Sequence, residues 1–278
     1  MKHQEGYLKS NRETHIYYQY WLPDDEPKAI LLIAHGLAEH SGRYMNLVNH
    51  FIPKGYAVYG IDHFGHGKSE GKRVYVERFE DFTKTLKIYF DSIRKWHPET
   101  PIFLIGHSMG GLIGAAYLLA HQDELSGAVL SGPGVKLPDH ISQLTILAGK
   151  IFSVLMPKAG VAPLNYDGIS RDQAVVDAYI NDPLVYTGKI TARLATELIK
   201  TIHHVTEYAE KIKLPIMIAQ GSDDRIVDPS GAQDLYDRVG SEDKTIQYYD
   251  GLYHEIFNEP EHAQVLNDVQ QWIEKHLD

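Results

Sequence analysis

The chain has 278 residues, no cysteine, and 37 acidic against 27 basic side chains, giving a net charge of −10. That length fits one large α/β domain or two average ones, and either buries a full core without staples. The missing cysteines remove thiolate metal sites, iron–sulfur clusters and cysteine nucleophiles; the negative charge argues against nucleic acid and against a polybasic lipid anchor; and 43% hydrophobic residues exclude a disordered polymer.

The first ten residues carry no apolar leader. No later stretch reaches the ~18 unbroken apolar residues of a membrane span, so a soluble, cytoplasmic protein is the expectation. Residues 14–22 are rich in β-branched and aromatic side chains and read as a strand. Residues 29–35 form a continuous apolar run of the kind found in a sheet covered on both faces, and 57–62, 102–107, 127–131 and 215–220 repeat it. Between these runs, Phe79, Phe82, Leu86, Tyr89, Phe90, Ile93 and Trp96 share one helical face, as do Val265, Leu266, Val269, Trp272, Ile273 and Leu277. Strands alternating with helices predict an α/β fold built on a mostly parallel central sheet.

Residues 134–205 break that rhythm. They contain no buried-strand run and read as helices and loops punctuated by Pro138, Pro157, Pro163 and Pro183. The segment is too long for a connecting loop. It is expected to be a cap over the C-terminal edge of the sheet, with 1–133 and 206–278 as the core.

The most informative stretch is Gly106-His107-Ser108-Met109-Gly110, set between the apolar run at 102–107 and a helix-like run at 112–120. This is G-x-S-x-G in a strand–turn–helix context, the pattern that lifts a serine hydroxyl clear of the backbone on a strained turn. Such a serine needs a base and an orienting acid, following it in the order serine, acid, histidine. His254 follows the strand-like 245–249 and precedes the last helix, and is the candidate base. The loop 221–228 offers Asp223, Asp224 and Asp228. Asp224, at the G-x-x-D position, is the leading acid; Asp228, followed by Pro229 and Ser230, also suits a helix cap. Two main-chain donors are needed for an oxyanion. Met109 N–H follows the nucleophile, and Leu37 N–H follows Gly36 in the loop after the run 29–35.

The segments His35-Gly-Leu-Ala-Glu-His-Ser-Gly-Arg-Tyr44, Asp62-His-Phe-Gly-His-Gly-Lys-Ser-Glu-Gly71 and Gly106-His-Ser-Met-Gly-Gly111, with Ile169-Ser-Arg-Asp172 and Tyr179-Ile-Asn-Asp-Pro-Leu184, carry a resemblance. Over nearly its whole length the chain resembles the monoacylglycerol lipase and lysophospholipase group of the α/β-hydrolases. The resemblance implies an α/β-hydrolase fold with helices on both faces of the sheet and a helical cap. It implies a serine esterase for single-chain lipids that needs no cofactor and no metal. It places Glu39, Arg43, His107 and Tyr179 near the polar end that holds glycerol, although Glu39 and Arg43 also suit a bracing ion pair and Tyr179 also suits cap packing. In the cap, Ile141, Leu144, Ile146, Leu147, Ile151, Phe152, Val154 and Leu155 form a dense apolar cluster. It fits cap core, an acyl tunnel, or transient contact with a membrane or micelle. Mammalian members of the group carry a second histidine three residues after the catalytic one, where this chain has Phe257, and cysteines around the site, where it has none.

Two other patterns fail. Gly67-Lys68-Ser69 looks like the tail of a phosphate-binding loop, but the required first glycine is Asp62. His203 and His204 are adjacent, and neighbouring helical residues point ~100° apart, a poor start for a metal site. The rival readings are another ester on the same machinery (lysophospholipid, short-chain or phenolic) and a binding protein that has lost catalysis.

Overall fold

The computed structural model describes residues 1–137 and 143–277, with side chains from Ile146 onward in the second stretch. Ile141 and Leu144 of the expected cap cluster therefore lie outside what is described. The strands are β1 (Lys2–Lys9), β2 (His15–Leu22), β3 (Ala29–Ala34), β4 (Tyr56–Ile61), β5 (Ile102–His107), β6 (Gly127–Ser131), β7 (Gly160–Pro163), β8 (Lys189–Thr191), β9 (Ile216–Gly221) and β10 (Lys244–Tyr249). The helices are α1 (Met45–Phe51), α2 (Glu80–Trp96), α3 (Met109–His121), α4 (Gln143–Leu155), α5 (Gln173–Asn181), α6 (Ala192–Tyr208), α7 (Ser230–Arg238) and α8 (His262–Glu274).

The main sheet runs β1-β2-β4-β3-β5-β6-β9-β10. The β1–β2 and β2–β4 pairs are antiparallel, and every pair from β4 to β10 is parallel. The unbroken apolar runs are explained by β3. Ile30, Leu32 and Ala34 enter one core cluster, with residues of α2, α3, α6 and α7. Ala29, Leu31 and Ile33 enter the other, with residues of α1 and α8. Both faces are covered, so every position is apolar, and each buried Leu or Ile contributes ~1.5–3 kcal/mol. This is the α/β-hydrolase arrangement, with helices on both faces.

Two elements depart from the expectation. β1 is mostly polar and exposed, so its side chains carry no strand pattern. It is held by pairing along all of β2 and by rings set against that strand, His3 on Trp21 at 4.9 Å and Tyr7 on Tyr17 at 5.6 Å. The cap segment, read as helices and loops, contains the antiparallel pair β7–β8 as well. β7 is wholly exposed and only four residues long, too short to leave a signal. The expected boundary at 205 falls inside α6, whose Leu194 and Val205 pack in the same cluster as α3.

Residues 182 and 186 of the inserted segment reach the loop after β3. Tyr186 N–H donates to Ala38 O at 2.9 Å, and His40 Nε2 lies 2.9 Å from Asp182 Oδ2, both in the loop after β3. Among the described residues no helix is long and apolar enough to cross a membrane.

Candidate active site

Between β5 and α3, Ser108 has φ 56° and ψ −118°. A residue with a Cβ is strained there and stays only where its surroundings over-determine it. Here Ser108 N–H donates to Ser131 O at 3.0 Å, and Ser108 O accepts from Gly111 N at 2.9 Å and from Gly134 N at 3.0 Å. The flanking glycines are required by close approach. A Cβ on Gly110 would stand 1.9 Å from Ala34 O, and one on Gly106 would stand 2.6 Å from Gly110 O.

The turn delivers the Ser108 hydroxyl to His254, whose Nε2 lies 2.8 Å from Oγ. His254 Nδ1 lies 2.7 Å from Asp224 Oδ2. A carboxylate only accepts, so Nδ1 carries the proton and Nε2 is left as the acceptor facing serine. Asp224 is fixed on both oxygens. Oδ1 accepts from Ile226 N at 2.8 Å and Val227 N at 3.1 Å, and Oδ2 also accepts from Gln220 Nε2 at 2.9 Å. Burial opposes protonation of His254, but the Asp224 carboxylate at Nδ1, with Glu255 and Glu39 beyond it, outweighs burial and holds the imidazole above its usual range. Of the three aspartates the sequence offered, the structure brings only Asp224 to histidine. Asp223 is exposed, and Asp228 accepts from Ser230 N at 2.9 Å, as a residue capping the start of α7 does.

Around Ser108 lies a cavity of about 240 Å³. Leu164, Ile169, Leu198, Ile202, Ile226 and Val227 give it apolar walls, and Glu39, His107, Tyr179 and Glu255 supply polar groups. Leu37 and Met109 also line it. Met109 is the first residue of α3, where the helix leaves the N–H unpaired. Among the described residues the Leu37 N–H has no hydrogen-bond partner either.

A family model described as "Serine aminopeptidase, S33" matches residues 25–261. A monoacylglycerol lipase of Mycolicibacterium smegmatis is 40% identical over 262 residues, 94% of each chain. A monoglyceride lipase of Mus musculus is 35% identical over 266 residues, 95% of this chain and 88% of the relative. The crystal structure of a monoacylglycerol lipase of Paleococcus ferrophilus superposes with a TM-score of 0.84 at 31% identity, covering 94% of this chain and 99% of that one. The chain belongs to the monoacylglycerol lipase group of the α/β-hydrolases.

Of the residues that likeness to the group had placed at the polar end, Glu39, His107 and Tyr179 line the cavity. Arg43 is held behind them. Its guanidinium bonds Glu255 through two nitrogens at 2.6 and 2.8 Å and Glu39 at 2.8 Å, with the Tyr179 ring 4.4 Å away. Burial alone would raise the Glu255 pKa, and the paired Arg43 holds it below the usual range instead. The ion pair anticipated between Glu39 and Arg43 is thus present, and a second carboxylate completes it. Burial, and then the nearby His254, push His107 down to about 4, so its ring stays neutral. Its Nδ1 lies 3.1 Å from Ser131 O, which leaves Nε2 as an acceptor.

Sequence reading missed Glu255, although it directly follows His254 and an acid beside a catalytic-loop histidine was a visible signal. It also missed the tie between that loop and residues 168–171. His254 N–H and Glu255 N–H donate to Gly168 O at 3.3 Å and Ile169 O at 2.8 Å. The fully buried Glu259 accepts from Tyr253 N and Arg171 N, both at 3.0 Å, and from Arg171 Nε at 3.0 Å. The Ile169–Asp172 motif is therefore half of a joint. Outside the site, His203 and His204 are exposed on α6. The Gly67-Lys68-Ser69 loop wraps the buried Asp62, which accepts from Ser41 N and Lys68 N.

Proposed function

We propose that the chain hydrolyses monoacylglycerols to a free fatty acid and glycerol through an acyl-enzyme on Ser108. Ser108 Oγ attacks the ester carbonyl while His254 Nε2 takes its proton. The oxyanion is stabilised by the N–H groups of Leu37 and Met109. His254 then returns the proton to the departing glycerol oxygen and later activates the water that frees the fatty acid. Asp224 holds the imidazole in the tautomer this requires and stabilises its charged form.

The observation that carries this reading is the 2.8 and 2.7 Å chain from Ser108 through His254 to Asp224, opening into an apolar-walled cavity. The charges at that cavity favour glycerol over a phosphate-bearing leaving group. Among the described residues lining it, the carboxylates are Glu39 and Glu255, and there is no Lys or Arg. Arg43, which stands behind Glu39 and Glu255, is already held by both carboxylates. An anionic headgroup would face two carboxylates without a partner, whereas glycerol hydroxyls can donate to them.

The test is kcat/KM for fatty-acid release from a monoacylglycerol chain-length series, run beside lysophospholipids of matched acyl chain. An optimum at medium or long chains, with the neutral ester faster, is the expected result. Rates that fall steadily beyond the shortest acyl groups would replace lipase with general esterase. Faster release from the lysophospholipid would reverse the headgroup assignment.

The pH profile gives a second check. Protonated His254 cannot accept the serine proton, so kcat/KM should fall about tenfold per pH unit below its pKa. Because Asp224 lifts that pKa, the acid limb is expected above the usual histidine range. His107, already neutral, adds no step there. A profile flat through that region would remove His254 from the role of base.

We also assign residues 134–205 as the cap and α4 as its membrane-facing element. Ile146 is buried, while Leu147, Ile151, Val154 and Leu155 are 55–74% exposed on one short helix. An exposed apolar patch of this kind suits shallow hydrophobic contact with a lipid surface that supplies the substrate.

A further inference from the structure

We propose that His35 is a positioning residue that aims the Leu37 N–H at the reacting oxygen, by gripping the Gly36–Leu37 peptide through its carbonyl. The proposal rests on the reading of Ser108 as nucleophile. His35 is fully buried directly below the loop. Its Nδ1 lies 2.8 Å from Gly36 O, and its Nε2 lies 2.8 Å from the His63 backbone N. A carbonyl only accepts and a backbone N–H only donates. Both contacts are satisfied by one form of the ring, neutral with the proton on Nδ1.

The Gly36 carbonyl and the Leu37 N–H are the two ends of one planar trans peptide, and they point in opposite directions. Holding the oxygen down toward His35 turns the N–H away from it, on a residue that lines the cavity beside Ser108. The preceding peptide is held as well, because Gly36 N–H donates to Glu39 Oε1 at 2.6 Å. Gly36 is packed closely on its side-chain side: a Cβ there would stand 2.8 Å from Glu39 Oε1 and 3.3 Å from the Ser108 Cβ. Donation into the carbonyl also polarises the peptide, which strengthens its N–H as a donor.

The surroundings keep His35 in the form the grip needs. Protonation would put a second N–H on Nε2, facing the His63 N–H, which has nothing to accept it. The neighbouring rings of His63 and His66 stand 4.2 and 5.4 Å away by centroid. Burial pushes His35 down to about 4 and His66 to about 3, so the cluster is uncharged in the working range.

Two variants separate the two bonds. An Asn amide nitrogen stands near the place of Nδ1, so His35→Asn keeps a donor for Gly36 O. A Gln carbonyl oxygen reaches the place of Nε2, so His35→Gln keeps an acceptor for His63 N–H and leaves Gly36 O unheld. The readouts are kcat and KM on a soluble p-nitrophenyl ester, Ki for a trifluoromethyl ketone whose adduct carries an oxyanion, and Tm. For His35→Gln we expect kcat to fall about 10- to 100-fold, below the ~10²–10³ of losing an oxyanion donor outright. Ketone affinity should fall by a similar factor while KM holds, since the interaction exists only with the oxyanion. His35→Asn should stay within about threefold of the parent in kcat and Ki.

A Gln variant that keeps kcat and Ki overturns the proposal, and so do equal losses in both variants. If His35→Gln does not fold, a loss in His35→Asn beyond about tenfold overturns it. A variant-free readout stands beside these. In the parent with isotope-labelled histidine, the His35 Nδ1 proton should move downfield when the ketone adds to Ser108, and an unmoved signal refutes the coupling. A parent that neither cleaves the ester nor binds the ketone would refute the nucleophile reading instead, so the two failures are distinct.

Discussion

A Ser108→Ala variant is expected to lose about 10⁴- to 10⁶-fold in kcat while keeping the fold. Among the described residues the hydroxyl makes one side-chain hydrogen bond, to His254 Nε2 at 2.8 Å. Alanine keeps the Cβ, so the strain at φ 56° and the main-chain bonds that hold it are unchanged. Tm should therefore move by no more than a few degrees. A fluorophosphonate probe should label the parent and leave the variant untouched. Activity retained within about a thousandfold of the parent would show that another group attacks the carbonyl.

The second large effect is expected from Asp224→Asn, a loss of about 10⁴-fold in kcat. The carboxylate's surroundings dictate how an amide would sit. Ile226 N–H and Val227 N–H both donate to Oδ1, so an amide keeps its oxygen there and turns its NH₂ toward His254. That forces Nδ1 to accept and moves the ring proton to Nε2, the nitrogen that must take the serine proton. The same NH₂ meets Gln220 Nε2, a donor facing a donor. The charged ring also loses its counter-ion, so the residual acid limb should move to lower pH than in the parent. Asp223→Asn and Asp228→Asn touch neither nitrogen and should stay within about threefold of the parent. Should one of those two carry the large loss instead, the acid has been misassigned.

How much of this was legible in the sequence depended on how each feature is encoded. β3, β5, β6 and β9 were readable because a strand buried on both faces has to be apolar throughout. Ser108 was readable because its turn forces glycines at 106 and 110, and those glycines are visible as letters. His254 and Asp224 were placed by their order along the fold. β1 was not readable, because it is held by backbone pairing and rings rather than by burial. The grip of His35 on Gly36 and the joint from Glu259 to Arg171 were not readable for a different reason. Each is a hydrogen bond whose partner is main chain or a residue far along the sequence, and nothing in local spacing records it. His35 opens the segment His35–Tyr44, but its letters say nothing about which nitrogen bonds what.

The joint between residues 168–171 and the histidine loop has a consequence for how substrate gets in. That part of the cap is fastened by backbone bonds to His254 and Glu255 and by the buried Glu259. Lifting it would drag the general base out of line with Ser108. The doorway therefore has one fixed jamb. Whatever widens it has to leave residues 168–171 where they are. Entry and catalytic alignment are then mechanically separate: substrate has to pass while the bonds that hold His254 stay closed.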